Sequence, residues 1–323
     1  MSEERFSLAG KRVWVAGHRG MVGSALMRRL AQENCELLTT ERNQVDLRDQ
    51  SRANAWMRDA RPNLVFVAAA TVGGILANDA YPADFLYDNL MIGANVIRAA
   101  FEIGVDKLVF LSSSCVYPKF APQPIAEDAL LSGPLEPTNE WYAIAKIAGL
   151  KLCQAYRKQY GVDFISAMPT NLYGPGDNFA ANSSHVLPAL IRKAHEAKAA
   201  GASAITIWGS GAPRREFLHV DDCASALLHL AKHYSSDGPV NVGSGADVTI
   251  LELTRLVAAA AGFAGRIERD LTKPDGTPRK LLDSQKIRAM GWAPSIALPE
   301  GVASVYRWFV DNHAIARGAS ERA

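Results

Sequence analysis

Short, continuously apolar runs alternate with longer amphipathic segments through the first half of the chain. Five such runs occur, at residues 12–17, 35–40, 63–70, 107–114 and 163–170. Strands that are apolar on both faces and are joined by amphipathic helices form a parallel sheet with helices on both sides. We therefore predict a doubly wound α/β fold, in which ligands bind beyond the carboxyl ends of the strands.

The sequence changes character after about residue 170. A Gly/Asn/Ser-rich loop at 171–184 precedes a helical segment at 185–201. A chain of 323 residues suits one large α/β unit with an appended lobe. We predict a first, cofactor-binding domain over residues 1–170, rejoined by about 216–243, and a smaller α/β carboxyl-terminal substrate lobe over residues 171–323.

Charge and cysteine content exclude several classes of protein. The 35 Lys and Arg residues nearly balance the 33 Asp and Glu residues, which argues against nucleic acid or a membrane surface as the main partner. The four cysteines form no C-x-x-C pair, so neither a disulfide framework nor a metal site is indicated. No signal peptide or membrane-spanning run is recognisable, and we expect a cytoplasmic protein.

A glycine-rich turn follows the first predicted strand. Gly17 would permit the tight turn, Gly20 the close approach of the backbone to a pyrophosphate, and Gly23 the close packing of helix on strand. The phosphates would then lie at the positive end of the following helix. A plain strand-to-helix turn is the alternative, but the four further strands favour a dinucleotide site.

The end of the second predicted strand bears on the choice between NAD and NADP. An acidic residue there binds the ribose hydroxyls of NAD, whereas a basic residue accommodates the 2′-phosphate of NADP. Arg42 lies at this point and Arg19 lies inside the glycine turn, which favours NADP, although Glu41 is a possible acceptor for a ribose hydroxyl. Asp46 and Leu47 would reach the adenine edge; alternatively, Asp46 caps a helix.

A tyrosine and a lysine lie four residues apart in a predicted helix, at Tyr142 and Lys146, and therefore share one face. An ammonium beside a phenol favours phenolate, so we expect the pKa of Tyr142 to fall towards neutrality. The lysine could also bind the nicotinamide ribose. Ser113, at the end of the fourth strand, would bind a carbonyl oxygen together with Tyr142. Tyr-x-x-x-Lys alone is common on amphipathic helices, and the serine and glycine turn make it specific.

These residues resemble the extended type of the short-chain dehydrogenase/reductase family. The resemblance implies a Rossmann domain, a bound nicotinamide cofactor, NADP (NADPH), and a nucleotide-sugar site in the second lobe. Longer strings resemble the members that act on GDP-4-keto-6-deoxy-D-mannose, by epimerisation at C3 and C5 and then reduction of the C4 ketone. A 4-epimerase, dehydratase or 4-reductase of another nucleotide sugar is the alternative. The strings lie at residues 16–25, 112–119, 135–149, 169–179, 183–190, 208–211, 215–222 and 273–283.

The resemblance also implies the roles of individual residues. Ser113, Tyr142 and Lys146 would form the reductase set, with Cys115 and His185 as the epimerisation pair; the ordinary readings of these two are a buried inert cysteine and a residue beside a helix N-cap. The cofactor positions are Gly17, His18, Arg19, Gly20, Met21, Val22, Gly23, Arg42, Asp46, Leu47, Lys146, Pro169, Asn171, Leu172 and His185. The substrate positions are Lys193, Trp208, Arg215 and Asp275. A homodimer formed through two Rossmann helices is expected.

Overall fold

The computed structural model describes residues 4–181, 183–273, 275–314 and 316. Twelve strands and ten α-helices are defined within these ranges. The strands are β1 (Arg12–Ala16), β2 (Glu36–Leu38), β3 (Leu64–Val67), β4 (Lys107–Leu111), β5 (Phe164–Pro169), β6 (Asn171–Tyr173), β7 (Ala204–Trp208), β8 (Arg214–His219), β9 (Val240–Val242), β10 (Asp247–Thr249), β11 (Arg266–Asp270) and β12 (Arg279–Lys280). The helices are α1 (Met21–Leu30), α2 (Gln50–Ala60), α3 (Ile75–Ala80), α4 (Pro82–Glu102), α5 (Glu140–Tyr160), α6 (Val186–Ala199), α7 (Val220–His233), α8 (Ile250–Ala261), α9 (Gln285–Ala289) and α10 (Leu298–Asp311).

Six parallel strands form the central sheet in the order β2-β1-β3-β4-β5-β9. Side chains of β1 alternate between its two faces, as the pleat of a strand requires. Val13 and Val15 join one apolar core, whereas Trp14 and Ala16 join another. Helices α1 and α7 pack together, as do α4 and α5. The predicted doubly wound parallel sheet is therefore confirmed, and the turn after β1 lies where the strand order reverses, the usual ligand position in this fold.

The second lobe is built around β8. This strand pairs in parallel with β6 and β12 and antiparallel with β10, while β7 and β11 form a separate parallel pair. Helices α6, α8 and α10 cover a third apolar core. After β8 the chain returns to the first sheet, because α7 packs on α1 and β9 pairs with β5.

A buried carboxylate fastens β8 to its surroundings. Glu216 has no solvent exposure, and its side chain accepts hydrogen bonds from the backbone N–H groups of Gly245 (2.7 Å) and Leu282 (3.0 Å). Burial raises the pKa of this carboxyl. The backbone oxygen of Glu216 also accepts a bond from the side-chain amide of Asn171, at 2.8 Å. These contacts fix the segment around Leu282 to β8, and with it the strand β12 just before it.

Among the described residues, no helix combines the length and the hydropathy needed to cross a bilayer. Within the same ranges, no three His, Cys, Asp or Glu side chains converge as ligands of a metal ion.

Candidate active site

The glycine turn between β1 and α1 is shaped by close backbone contacts. Gly17 has a φ of +85°, which L side chains rarely adopt, and a Cβ there would lie 2.7 Å from the backbone of Ala69. A Cβ at Gly23 would overlap the carbonyl oxygen of Gly17. No described side chain caps the N-terminus of α1, where Gly20 is the N-cap residue. The first N–H groups of α1 are therefore available to the space that a pyrophosphate would take.

Glu41, rather than Arg42, contacts the glycine turn. Its carboxylate accepts a 2.6 Å hydrogen bond from Arg19 and lies 3.4 Å from Nε2 of His18. The bond from Arg19 and the neighbouring charges lower the pKa of Glu41. Arg42 is close enough to Asp46 to help lower the pKa of that carboxyl. Two cations therefore remain near the end of β2, one of them paired with an acid.

Asp46 is not a helix cap. Asp49 is the N-cap residue of α2, and its side chain accepts from the backbone N–H groups of Ser51 and Arg52. The alternative of a capping role for Asp46 is therefore wrong. Its carboxylate instead accepts hydrogen bonds from Arg48, at 3.0 Å from Nε and 2.6 Å from Nη2. These bonds lower the pKa of Asp46 to about 2.

Ser113, Tyr142 and Lys146 meet at the carboxyl end of β4. The Oγ of Ser113 accepts a 3.2 Å hydrogen bond from the backbone N–H of Cys115, so a short helical turn begins at the serine. Nζ of Lys146 donates to the backbone oxygen of Leu111 at 2.9 Å and lies 5.7 Å from the ring centroid of Tyr142. The lysine is thus anchored by the strand that delivers the serine.

The expectation that Tyr142 has a lowered pKa is wrong for the chain itself. Desolvation by the surrounding protein raises the pKa of the phenol, and the neighbouring Cys115 raises it further. Burial also lowers the pKa of Lys146, to about 8. The phenol therefore keeps its proton at neutral pH, which is the form that a proton donor requires.

A second lysine reaches Cys115 from the other lobe. Nζ of Lys280 donates to Sγ of Cys115 at 3.6 Å. Lys280 pairs with Arg215 in the register of β12 and β8, and Arg215 itself lies near Cys115 and Glu136. Lys280 was not among the residues predicted from the sequence, because only its place in the string 273–283 distinguishes it.

His185 lies close to the same lysine. The surrounding protein lowers the pKa of its imidazole, and the charge of Lys280 lowers it further, although the residue as a whole is exposed. His185 is the N-cap residue of α6, but its ring makes no capping bond within the described part of α6. Its two ring nitrogens are therefore not engaged by the start of the helix.

The predicted cofactor segment 169–172 crosses from one sheet to the other. Pro169 is the last residue of β5 and is buried, whereas Asn171 and Leu172 belong to β6 and are partly exposed. The side chain of Asn171 is already bonded to the backbone of Glu216. This hydrogen bond helps to hold β6 against β8.

Two of the predicted substrate residues line the edge around β7. Trp208 ends β7 with 54% of its surface exposed, and Nζ of Lys273 lies 5.7 Å from the centroid of its ring. Lys193, on α6, donates to the backbone oxygen of Thr206 at 3.2 Å. This edge therefore offers an exposed aromatic face and nearby cations.

Asp275 joins two loops. Its carboxylate accepts bonds from the backbone N–H (2.9 Å) and the hydroxyl (2.6 Å) of Ser210. The guanidinium of Arg215 lies beside the next residue, Gly276, where a Cβ would be 3.1 Å from Nη2. These bonds support the alternative in which Asp275 shapes the loop, and they bring Arg215 and Asp275 to one side of the cleft.

Known proteins are similar to this chain in sequence and in fold. The NAD dependent epimerase/dehydratase family matches residues 13–243. GDP-L-fucose synthase of Sinorhizobium fredii is 59% identical over 95% of this chain and 98% of its own length, and that of Escherichia coli is 51% identical over 96% and 100%. The structure of a GDP-L-fucose synthetase from Naegleria fowleri bound to NADP is similar, with a TM-score of 0.91 and 27% identity over 98% of this chain and 99% of that one. This chain belongs to the NAD dependent epimerase/dehydratase family, in the branch of the GDP-L-fucose synthases.

Proposed function

We propose that this protein converts GDP-4-keto-6-deoxy-D-mannose to GDP-L-fucose, by epimerisation at C3 and C5 followed by NADPH-dependent reduction of the C4 ketone. The observation that carries the proposal is the contact between the thiol of Cys115 and the ammonium of Lys280, two residues from Ser113. A reductase alone needs no thiol in this position. The names of the similar proteins support the same reaction.

The residues of the glycine turn and of β2 fit NADP. The uncapped start of α1 would receive the pyrophosphate, and the absence of Cβ atoms at Gly17 and Gly23 lets the turn pack closely against neighbouring backbone and so holds that start in place. Arg42 and Arg19 would bind the 2′-phosphate, and Asp46, held by Arg48, would face the adenine. Lys146 would bind the nicotinamide ribose. NADPH, when bound, supplies the hydride for C4.

Epimerisation requires two groups on opposite faces of the sugar. A proton α to the carbonyl is removed from one face and a proton is returned to the other, and one base alone usually returns the proton that it took. Cys115 and His185 would supply these groups, and Lys280 would donate a hydrogen bond to the sulfur of Cys115. Ser113 and Tyr142 would donate hydrogen bonds to the enolate oxygen.

The same oxygen site then serves the reduction. Tyr142 would give its proton to the C4 oxygen as that oxygen becomes a hydroxyl. Its raised pKa supports this role, since the phenol is protonated before the step. Lys146 would orient the phenol from the next turn of the helix.

The nucleotide would lie against the second lobe. Trp208 offers an apolar face, and Arg215 and Lys193 would neutralise the diphosphate. Asp275 would accept hydrogen bonds from ribose hydroxyls or hold the loop that carries them. This assignment makes residues 171–323 the substrate lobe, and residues 1–170 with about 216–243 the cofactor domain.

A 4-epimerase or dehydratase acting on another nucleotide sugar is not favoured. Dehydratases need an acid-base carboxylate near the serine and tyrosine, whereas this chain has the thiol of Cys115 there. A reaction that uses a free thiol and consumes NADPH suits a reducing compartment, and we propose the cytoplasm.

Deuterated water tests the reaction directly. With NADPH and GDP-4-keto-6-deoxy-D-mannose, the product is expected to carry deuterium at C3 and C5. In Cys115→Ser, label incorporation should fall by about 10²-fold or more, because a hydroxyl is a far weaker base than a thiolate. Nuclear magnetic resonance of the isolated nucleotide sugar gives both positions. Cys35→Ser, a partly exposed free cysteine outside the cleft, is the matched control.

Two outcomes would contradict the proposal. A wild-type product that is reduced but unlabelled at both carbons removes the epimerase activity. Label incorporation by Cys115→Ser at the rate of Cys35→Ser removes the thiol from the proton transfers.

We further propose a homodimer formed through α4 and α5. Tyr87 on α4 and Trp141 and Ile144 on α5 are large apolar side chains that are 60%, 42% and 38% exposed, and a dimer formed through these two helices would cover them. Trp141→Glu with Ile144→Glu should convert a particle of about twice 34.9 kDa into a monomer, as measured by sedimentation velocity. Phe120→Glu, an exposed aromatic elsewhere, is the control, and a wild-type monomer would contradict the proposal.

A further inference from the structure

A glycine pair after β3 touches the backbone that leads into His185. The N–H of Gly74 donates a hydrogen bond to the backbone oxygen of Ser183 at 2.8 Å. A Cβ at Gly74 would overlap the backbone oxygen of Ser184. That oxygen belongs to the peptide bond joining Ser184 to His185, so whatever displaces it also displaces the start of His185.

Position 74 requires glycine because there is no room for a side chain, and not because of its backbone conformation. Gly74 has φ −66° and ψ 179°, which any L residue adopts. A methyl group added here would therefore leave the local backbone unstrained and act only on what lies opposite, the Ser183–His185 backbone. Gly73 is crowded too, since a Cβ there would lie 2.9 Å from Cβ of Ala77.

Both sides of this contact are braced by side chains. On the glycine side, the buried amide of Asn78 donates to the backbone oxygens of Gly73 (2.7 Å) and Gly74 (3.0 Å). On the other side, the amide of Asn178 donates to the hydroxyl of Ser183 at 2.9 Å. Neither partner can therefore shift freely to relieve a clash.

The same segment also touches the element that delivers Tyr142. Helix α3, which begins directly after Gly74, packs against the turn Pro137–Asn139, and that turn leads into α5. One short segment thus contacts the backbone before His185 and the backbone before Tyr142. His185 is the residue proposed for proton transfer, and Tyr142 is the residue proposed to bind the carbonyl oxygen.

We infer that Gly74 is a positioning residue for proton transfer by His185, acting through its contact with the Ser183–Ser184 backbone. The inference rests on the proposed function. Gly74 touches neither substrate nor cofactor in this role. It sets the place from which the imidazole reaches the sugar, and reactions of this kind are sensitive to displacements of about 1 Å.

The test compares Gly74→Ala with Gly133→Ala. Gly133 lies in an exposed loop where an added Cβ meets its nearest neighbour at 3.4 Å, an ordinary contact. Deuterium incorporation at C3 and C5 by Gly74→Ala is expected to fall by ~10- to 100-fold relative to Gly133→Ala. The affinity for NADPH, measured by fluorescence titration, should fall by much less than deuterium incorporation, because the glycine turn after β1 is untouched and His185 is only one of the predicted cofactor positions. Equal incorporation in the two variants would overturn the inference, as would a loss that only follows weaker NADPH binding.

A second variant covers the case in which Gly74→Ala does not fold. Asn78→Ala adds no bulk and removes both side-chain hydrogen bonds to the glycine pair, so it should lower deuterium incorporation in the same direction by ~3- to 10-fold. Incorporation by Asn78→Ala equal to that of Gly133→Ala would then overturn the inference.

A readout without turnover separates this inference from the proposed function. In protein labelled with ¹³C-histidine, the resonance of His185 can be titrated in the wild type and in Gly74→Ala. If Gly74 holds His185 in its position near Lys280, the pKa of the imidazole should rise towards its ordinary value in Gly74→Ala. An unchanged titration overturns the inference even if the wild type proves to lack epimerase activity. A shifted titration supports it in either case.

Discussion

Tyr142→Phe is expected to slow formation of GDP-L-fucose by about 10³-fold, because it removes the proton donor for C4 and a hydrogen bond to the enolate oxygen. Both steps should suffer, so NADPH oxidation and deuterium incorporation at C3 and C5 should fall together. Affinity for NADPH, measured by fluorescence titration, should remain within about threefold, since Lys146 and the glycine turn are unchanged.

Tyr117→Phe is the matched control for Tyr142→Phe. Tyr117 is buried, and its hydroxyl donates to Oδ1 of Asn241 at 2.6 Å. Its loss should cost about 1 kcal/mol of unfolding free energy and leave turnover within about threefold. If Tyr142→Phe retained a tenth or more of wild-type turnover, the role of the phenol as proton donor would have to be abandoned.

Gly23→Ala is expected to abolish detectable NADPH binding and to lower the free energy of unfolding by about 3 kcal/mol. The added Cβ would overlap the carbonyl oxygen of Gly17, which is backbone and has no rotamer to escape into. The turn after β1 and the start of α1 would have to separate, and the proposed pyrophosphate site consists of those two parts. Urea denaturation and fluorescence titration measure the two effects.

Gly20→Ala separates the two effects of Gly23→Ala. An added Cβ at Gly20 meets its nearest neighbour, the oxygen of Gly17, at 3.4 Å, so the fold should lose less than about 1 kcal/mol. It would nonetheless project near the site of the pyrophosphate, and NADPH affinity should fall by at least ~10-fold. Equal stability losses in the two variants would contradict the packing role assigned to Gly23.

The sheet could be predicted from the sequence because its signal is local. The runs that form β1, β3, β4 and β5 are apolar on both faces, and each lies in the sheet as expected. The pairing of Tyr142 with Lys146 follows from the helical period alone. The Rossmann fold and the family membership were both recoverable from such short-range patterns.

Other parts of the site depend on contacts that no local pattern encodes. Lys280 reaches Cys115 only because β12 pairs with β8, and a two-residue strand has no periodicity. The choice of Glu41 over Arg42 as the partner of the glycine turn depends on how the chain leaves β2. The raised pKa of Tyr142 also follows from desolvation in the folded protein, whereas its spacing from Lys146 predicted a lowered pKa.

The position of β9 determines the order in which the protein can be completed during synthesis. Ala167, Met168 and Pro169 of β5 pair with Val240, Asn241 and Val242. Until residue 242 has left the ribosome, β5 is an apolar edge strand without its neighbour β9. Unpaired edges of this kind template association between chains. The interval between the synthesis of β5 and the emergence of residue 242 is therefore one in which this strand is open to association with other chains.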